Sequence, residues 1–197
     1  MNFTFLEVTN CDMLEKVFEF RYKILLEIYP EYIEKSFLKD NKDSDKYDLY
    51  SIHFAALDED GEVCATVRLI YNSPIGYPTE NGMIFDKDMF DRDKLGEMSR
   101  IFIDTKYRNM KNTKIIIEQL KKMSYFKMID LGIAYSYGSL ETNFLRLLRI
   151  YKMCYTTVGK GQEHGYFGLR YPCILYTKQL GTDNPELIEL WKKHNEV

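Results

Sequence analysis

The sequence predicts an α/β layered domain built on a mixed β-sheet. Three observations carry this. An amphipathic helical stripe lies near the start, two alternating β-branched runs joined by a tight turn follow it, and from residue 98 strand-like and helix-like segments take turns. The 197 residues suit a single domain spanning 1–197, and 45% hydrophobic against 29% charged residues is ordinary for a globular chain.

Thr9 to Asp12 offers capping side chains, and a helix follows to about Ile28. Its apolar stripe runs Leu14, Phe18, Leu25, Ile28 and places Arg21 in the middle, either aimed at the core or reaching solvent along its stem. Glu31 to Asp48 is polar and acid-rich, a loop or short helix crossing a cleft. Ile52–Leu57, the turn Asp58-Glu59-Asp60-Gly61 and Val63–Tyr71 read as a β-hairpin. In its second strand Arg68 shares a face with Cys64, Thr66 and Ile70, small or apolar residues. Asn72 to Gly96, with Pro74, Gly76, Pro78 and Gly82, reads as a long excursion holding one short helix. A strand over Met98–Asp104 leads through a basic segment into a helix from Lys114 to about Met128. Then come a strand Gly132–Tyr137, a helix from about Leu140 to Tyr151, strand segments within Gly165–Lys178 broken by Pro172, and a C-terminal helix started by Asn184-Pro185-Glu186.

Twenty-seven basic against 30 acidic residues leave a net charge of −3, which argues against a dedicated nucleic-acid binder. No apolar run approaches the roughly 18 residues that span a bilayer, and the first residues lack the basic and apolar regions of a secretion signal. Cys11, Cys64, Cys154 and Cys173 are widely separated, as buried thiols in a reducing cytosol would be, so a cytoplasmic protein is expected. Walker, GxGxxG, HExxH and GxSxG patterns are absent, and three histidines make a metal site a poor expectation. His53, on a strand among small residues, reads as a satisfied structural histidine.

Glu97-Met98-Ser99-Arg100 opens a strand with charges where core strands carry none. Desolvating an ionised group costs several kcal/mol, roughly, so such groups need partners or a task. Arg21, Asp45, Asp48 and Arg68 are the potential partners, and all six charges read as one polar site. Strict alternation would put Glu97 and Arg100 on opposite faces; a bulge near Ser99 would bring both to one cleft.

Phe20-Arg21-Tyr22, Asp45-Lys46-Tyr47-Asp48, Thr66-Val67-Arg68-Leu69-Ile70 and Glu97-Met98-Ser99-Arg100 together resemble the acyl-homoserine-lactone (autoinducer) synthases. Ser51-Ile52-His53, Arg146-Leu147-Leu148-Arg149-Ile150-Tyr151 and Tyr166–Pro172 look still more like the related N-acyl amino acid synthases and exosortase-associated acyltransferases. The resemblance implies the GNAT fold, a V-shaped central sheet flanked by helices, with a bulge that splays its strands. It also implies transfer of a fatty acyl group from a thioester to an amine, with Glu97, Ser99 and Arg100 as catalytic residues. Glu97 would be the base, directly or through a water, unless it is a structural ion pair with Arg100 or Arg68. Arg21, Arg68 and Arg100 fall on the acceptor side, gripping a carboxylate, while Asp45 and Asp48 bind its ammonium or hold those arginines.

On the donor side the resemblance implies Phe102 and Ile103, with backbone N–H groups around Ile101 to Ile103 facing the oxyanion, and Arg108, Lys111, Asn112 and Thr113 at a helix start for phosphate. Common GNAT enzymes have a glycine-rich turn there; Arg108 to Thr113 has none, and Lys152 stands where the relatives have glycine. Both departures favour the single-phosphate phosphopantetheine arm of an acyl carrier protein over acyl-CoA, and no tightly bound cofactor is expected. Tyr151 resembles the tyrosine that protonates the leaving thiolate, though a core tyrosine would look the same. Lactone synthesis from S-adenosylmethionine and a non-catalytic acyl-ligand sensor are the alternatives.

Overall fold

The computed structural model describes residues 2–35 and 40–196, without the side chains of residues 34 and 35. The part of the expected cleft-crossing loop at 36–39 lies outside the described residues. Eight strands form an open sheet: β1 (Thr4–Glu7), β2 (Ser51–Leu57), β3 (Val63–Tyr71), β4 (Leu95–Ile103), β5 (Tyr135–Leu140), β6 (Thr156–Thr157), β7 (Gln162–Glu163) and β8 (Leu169–Tyr176). The order is β1-β2-β3-β4-β5-β8-β6, with β7 pairing β8. Among the described residues only β4 and β5 run parallel, so the sheet is mixed, as the sequence predicts. Helices flank it: α1 (Cys11–Ile28), α2 (Pro30–Lys35), α3 (Pro78–Gly82), α4 (Met110–Asp130), α5 (Thr142–Ile150), α6 (Thr177–Asp183) and α7 (Pro185–Asn195).

Helix α1 starts where Asn10 Oδ1 accepts the Met13 N–H at 2.8 Å and stops before Pro30. It buries Val17, Phe18, Ile24 and Leu25, whereas Ile28, expected on that stripe, is exposed. Helix α4 begins four residues earlier than expected because Asn109 caps it, accepting the Asn112 N–H at 3.0 Å. It ends at Gly132, whose φ of +69° suits a residue without Cβ. Ile116, Ile117 and Leu120 pack the main core under β3 and β4 with Val67, Leu69 and Met98. Each such side chain contributes about 1.5–3 kcal/mol on burial.

Five expectations need correction. Strand β5 lies three residues later than predicted and α5 is shorter. Strands β1, β6 and β7 and helix α6 carry no clear local pattern. Strand β8 runs unbroken through Pro172, since the carbonyl of Pro172 faces Val158 N–H on the side where β6 ends, and there the missing proline N–H leaves no sheet partner wanting. Lys152 has a φ of +56° just past the end of α5. The glycine usual there therefore concerns helix termination, not the grip on a donor. Among the described residues no helix is long and apolar enough to cross a membrane.

Candidate functional site

Strand β4 carries the site because it breaks its own alternation. Glu97, Met98 and Ser99 pair with Ile70, Leu69 and Arg68, but Phe102 and Ile103 pair with Thr66 and Ala65. One extra residue therefore sits on β4, and Arg100 takes it up with a φ of +52°, costly for a residue with a side chain. The bulge puts Ser99 and Arg100 on one face: Ser99 Oγ accepts from Arg68 Nε at 2.9 Å, and Arg100 Nε donates to Asp43 Oδ2 at 2.7 Å. Ile101 and Ile103 join Met98 on the other face. The expected bulge is present.

The same irregularity opens the sheet. Strand β5 pairs with β4 only from Leu95 to Glu97, and at Met98 the N–H donates instead to Ser136 Oγ at 3.0 Å. Past that point the strands part. Asp104 N–H bonds Cys64 O on the β3 side, so by alternation the N–H groups of Ile101 and Ile103 face the gap.

Glu97 is 2% exposed at the mouth of this fork. Its oxygens accept from Thr79 N–H and Thr79 Oγ1, each at 2.9 Å, so α3, from the long excursion, holds it. Burial pushes its carboxyl from the usual 4.5 up to about 7; the Thr79 bonds and the Arg68 charge oppose that and lose. Among the described residues neither Arg68 nor Arg100 bonds it, so the ion-pair reading of Glu97 fails. A carboxylate half ionised near neutrality is a serviceable general base.

The arginines and aspartates form one buried cluster. Arg21, fully buried and not reaching solvent, donates to Asp43 Oδ2 at 2.8 Å and to Asp48 Oδ1 at 2.9 Å. Arg68 Nη1 donates to Asp45 Oδ1 at 2.7 Å and Asp48 Oδ1 at 2.8 Å, and Arg100 Nη2 reaches Asp45 Oδ2 at 3.3 Å. Three guanidiniums thus face three carboxylates. Asp43, missed by the sequence reading, is central. Burial alone would raise its pKa, but Arg100 and Arg21 hold it well below the usual carboxylate range. Asp48 is held down to about 2, where burial is again outweighed by Arg21 and Arg68.

Most of the cluster's bonding capacity is spent internally, so Asp45 and Asp48 do hold the arginines. Its accessible edge is Arg100 and Asp45, whose side chains are 23% and 28% exposed. His53 is buried, and burial pushes its imidazole down to about 4. Contrary to a satisfied structural histidine, its Nε2 has no hydrogen-bond partner among the described residues, with Asp48 Oδ1 3.7 Å away.

On the opposite face, Met98, Ile101, Ile103, Ile117, Leu120, Leu148 and Met153 line a narrow apolar cavity of about 20 Å³, with Lys121 and Ser124. The Lys121 ammonium is satisfied by Tyr151 O at 3.0 Å and Asn184 Oδ1 at 2.8 Å, tying α4 to the end of α5 and the start of α7. Ile103 lines this cavity, whereas Phe102, grouped with it from sequence, belongs by alternation to the face of Glu97 and Arg100. Arg108 and Lys111 are exposed at the start of α4, and Arg108 Nε donates to Ile103 O at 2.8 Å. Asn112 and Thr113 lie inside the first turn with their N–H groups already bonded to Asn109, so they offer a phosphate less than a helix starting at Lys114 would. Tyr151 packs against the core. Tyr155 sits nearer the fork, buried against Gly138 and interacting with Ser136.

The fold is shared with known proteins. The chain is similar to the acyl-homoserine-lactone synthase LasI (12% identity, TM-score 0.74, covering 92% of this chain and 94% of that one). It is also similar to BjaI, a CoA-dependent acyl-homoserine-lactone synthase (20%, 0.68, 89% and 82%). A third likeness is to FeeM, an N-acyl amino acid synthase from uncultured soil microbes (12%, 0.63, 92% and 94%). Identities this low speak for a shared fold. No curated protein matches the sequence. Residues 20–118, half the chain and every charged residue of the cluster, match the acetyltransferase (GNAT) domain, and the chain belongs to that family of acyltransferases.

Proposed function

We propose that this chain, acting as a single domain, transfers a fatty acyl group from an acyl-carrier-protein thioester to the amine of an amino acid. The observation that carries the reading is the buried Glu97, poised near pH 7 at a fork in the sheet, next to a cluster whose accessible edge is one guanidinium and one carboxylate. An amino acid is the complementary partner: its carboxylate meets Arg100 and its ammonium meets Asp45.

Glu97 takes a proton from the ammonium, directly or through a water, and the freed nitrogen attacks the thioester carbonyl carbon. As the C–N bond forms, the carbonyl oxygen becomes an oxyanion facing the Ile101 and Ile103 N–H groups. When the C–S bond breaks, the nitrogen sheds its second proton as it becomes an amide, and the thiolate takes that proton up, relayed by Tyr155, whose own phenol ends as it began. Arg21, Asp43, Asp48 and Arg68 hold Arg100 and Asp45 in place, and Ser99 anchors Arg68.

The acyl chain enters the cavity under β4, which holds little more than one water as it stands. Flexible Met98 and Met153 must move aside for it. Arg108 and Lys111, with Lys106 and Lys114, suit the phosphate of a pantetheine arm and an acidic carrier surface. FeeM is a synthase of N-acyl amino acids and BjaI depends on CoA, so acyl-CoA and lactone synthesis from S-adenosylmethionine are the readings to test against. Purified protein with acyl-carrier protein or acyl-CoA and a mixture of amino acids, read by mass spectrometry, decides. Amide-linked acyl amino acids support the proposal; acyl-lactones from S-adenosylmethionine, or acyl binding without turnover, refute it.

A further inference from the structure

Helix α3 is little more than one turn, Pro78–Gly82, and a helix so short does not hold its shape alone. Yet Thr79 on it supplies both hydrogen bonds that hold Glu97. The base is therefore only as well placed as α3 is anchored.

The anchor is Glu80, whose side chain is 3% exposed. Its Oε1 accepts the Tyr77 N–H at 3.0 Å, closing the first turn of α3. The Arg92 guanidinium donates to both oxygens, Nη1 to Oε2 and Nη2 to Oε1, each at 2.9 Å. Arg92, itself 56% exposed, stands on the turn Arg92–Lys94 that leads into β4. Thr79 and Glu80 are neighbours, and Arg92 and Glu97 share one stretch of chain. Two parallel bridges thus join the long excursion to β4, Thr79 to Glu97 inside and Glu80 to Arg92 outside. Tyr77 Oη, donating to Leu95 O at 2.6 Å, lies between them. Asn81 Nδ2 donates to Tyr47 Oη at 2.9 Å, linking α3 to the loop of Asp45 and Asp48.

We propose that Glu80 and Arg92 are positioning residues for the base, their bidentate pair clamping α3 so that Thr79 stays on Glu97. This rests on Glu97 acting as the base of the proposed transfer. A bidentate guanidinium fixes the orientation of the carboxylate as well as its distance, which an ammonium does not. Without Arg92, Glu80 is a buried charge with no counter-charge. If it turns out to solvent, it frees the Tyr77 N–H, α3 loosens and Thr79 leaves Glu97. If it stays, an unpaired negative charge remains near Glu97. Both outcomes disfavour ionised Glu97, so its midpoint rises either way. The other titratable or charged groups facing Glu97 stay in place: Arg68 from β3, Tyr77 ahead of α3, Tyr137 from β5, and Tyr155.

The test is the pH profile of thiol release from an acyl-carrier-protein donor with a mixture of amino acids. Arg92→Ala should move the midpoint from about 7 to roughly 8 or above and lower kcat/KM at pH 7 about fivefold or more. Arg92→Lys, which keeps the charge but not the fork, should recover part of that shift. Lys94→Ala, which removes the adjacent exposed pair with Asp91, should leave the midpoint where it is. A wild-type midpoint in Arg92→Ala, one uniform loss at every pH, or an equal shift in Lys94→Ala would overturn the inference and leave the proposed function standing. A wild type that releases no thiol with any amino acid would overturn both.

Discussion

Replacing Thr79 with valine probes the base without touching its carboxyl. Thr79 Oγ1 donates to Glu97 Oε1 at 2.9 Å in a buried setting. A hydrogen bond to a charged acceptor contributes about 1.5–3 kcal/mol, equivalent to roughly 1–2 pH units. The protonated acid can donate back to the same hydroxyl, so part of this cancels and a rise of about one pH unit is expected. The Glu97 midpoint should then move from about 7 in the wild type to roughly 8. At pH 7 the ionised fraction falls from about a half to about a tenth, and kcat/KM falls about fivefold. Near pH 9.5 the two enzymes should converge. The assay follows thiol release from the acyl donor across pH; the acceptor amine titrates alike in both proteins, so their difference isolates the base. A midpoint that stays at 7, or a uniform loss at every pH, would show that Glu97 does not set the rate.

Other outcomes are equally concrete. Because the folded-state pKa of Glu97 lies above its usual 4.5, its contribution to stability is full below 4.5 and is lost as pH rises through about 7. Glu97→Gln should therefore gain on the wild type by up to about 3 kcal/mol between pH 5 and 8 in urea unfolding, and parallel curves would refute the raised pKa. Asp43→Asn leaves Arg21 and Arg100 short of a buried counter-charge and should cost about 3–5 kcal/mol; a change under about 1 kcal/mol would mean that the cluster repacks freely. With Asp48 depressed to about 2, stability from that pair is present above the usual 3.8 and should drain away as pH falls through 2, measurable as an acid unfolding limb that Asp48→Asn shortens. Leu148→Ala, at a 1% exposed site in the apolar cavity, should cost about 2–5 kcal/mol and shift products towards longer acyl chains; an unchanged chain-length distribution would move the acyl chamber elsewhere.

Much of this is legible in the sequence, and the reason is physical. Arg21, Arg68 and Glu97 interrupt strong periodic patterns, so each announces itself as a charge where burial is expected. The extra residue near Ser99 is expected from parity taken together with the family resemblance, since neither alone requires it. Asp43 and Thr79 left no such trace, because they sit in polar stretches where an acid or a threonine is unremarked and only long-range folding gives them partners. Tyr155 was obscured by Tyr151, four residues away on the same segment. Strand β1 has only four residues, and its stability comes from pairing with β2 some fifty positions later. The early start of α4 turned on the Asn109 side chain, a cap that charge reading passed over.

The supernumerary residue in β4 also limits how this chain can change. Deleting Ile101 would restore ordinary pleating, and the arginine would swing to the lipophilic side while its acidic companions stayed behind. With the kink gone, nothing would hold the neighbouring parallel ribbon away, and the entrance would zip shut. A shortening by one amino acid here is thus a far graver lesion than most substitutions, since it takes away the doorway and the positive charge posted beside it together.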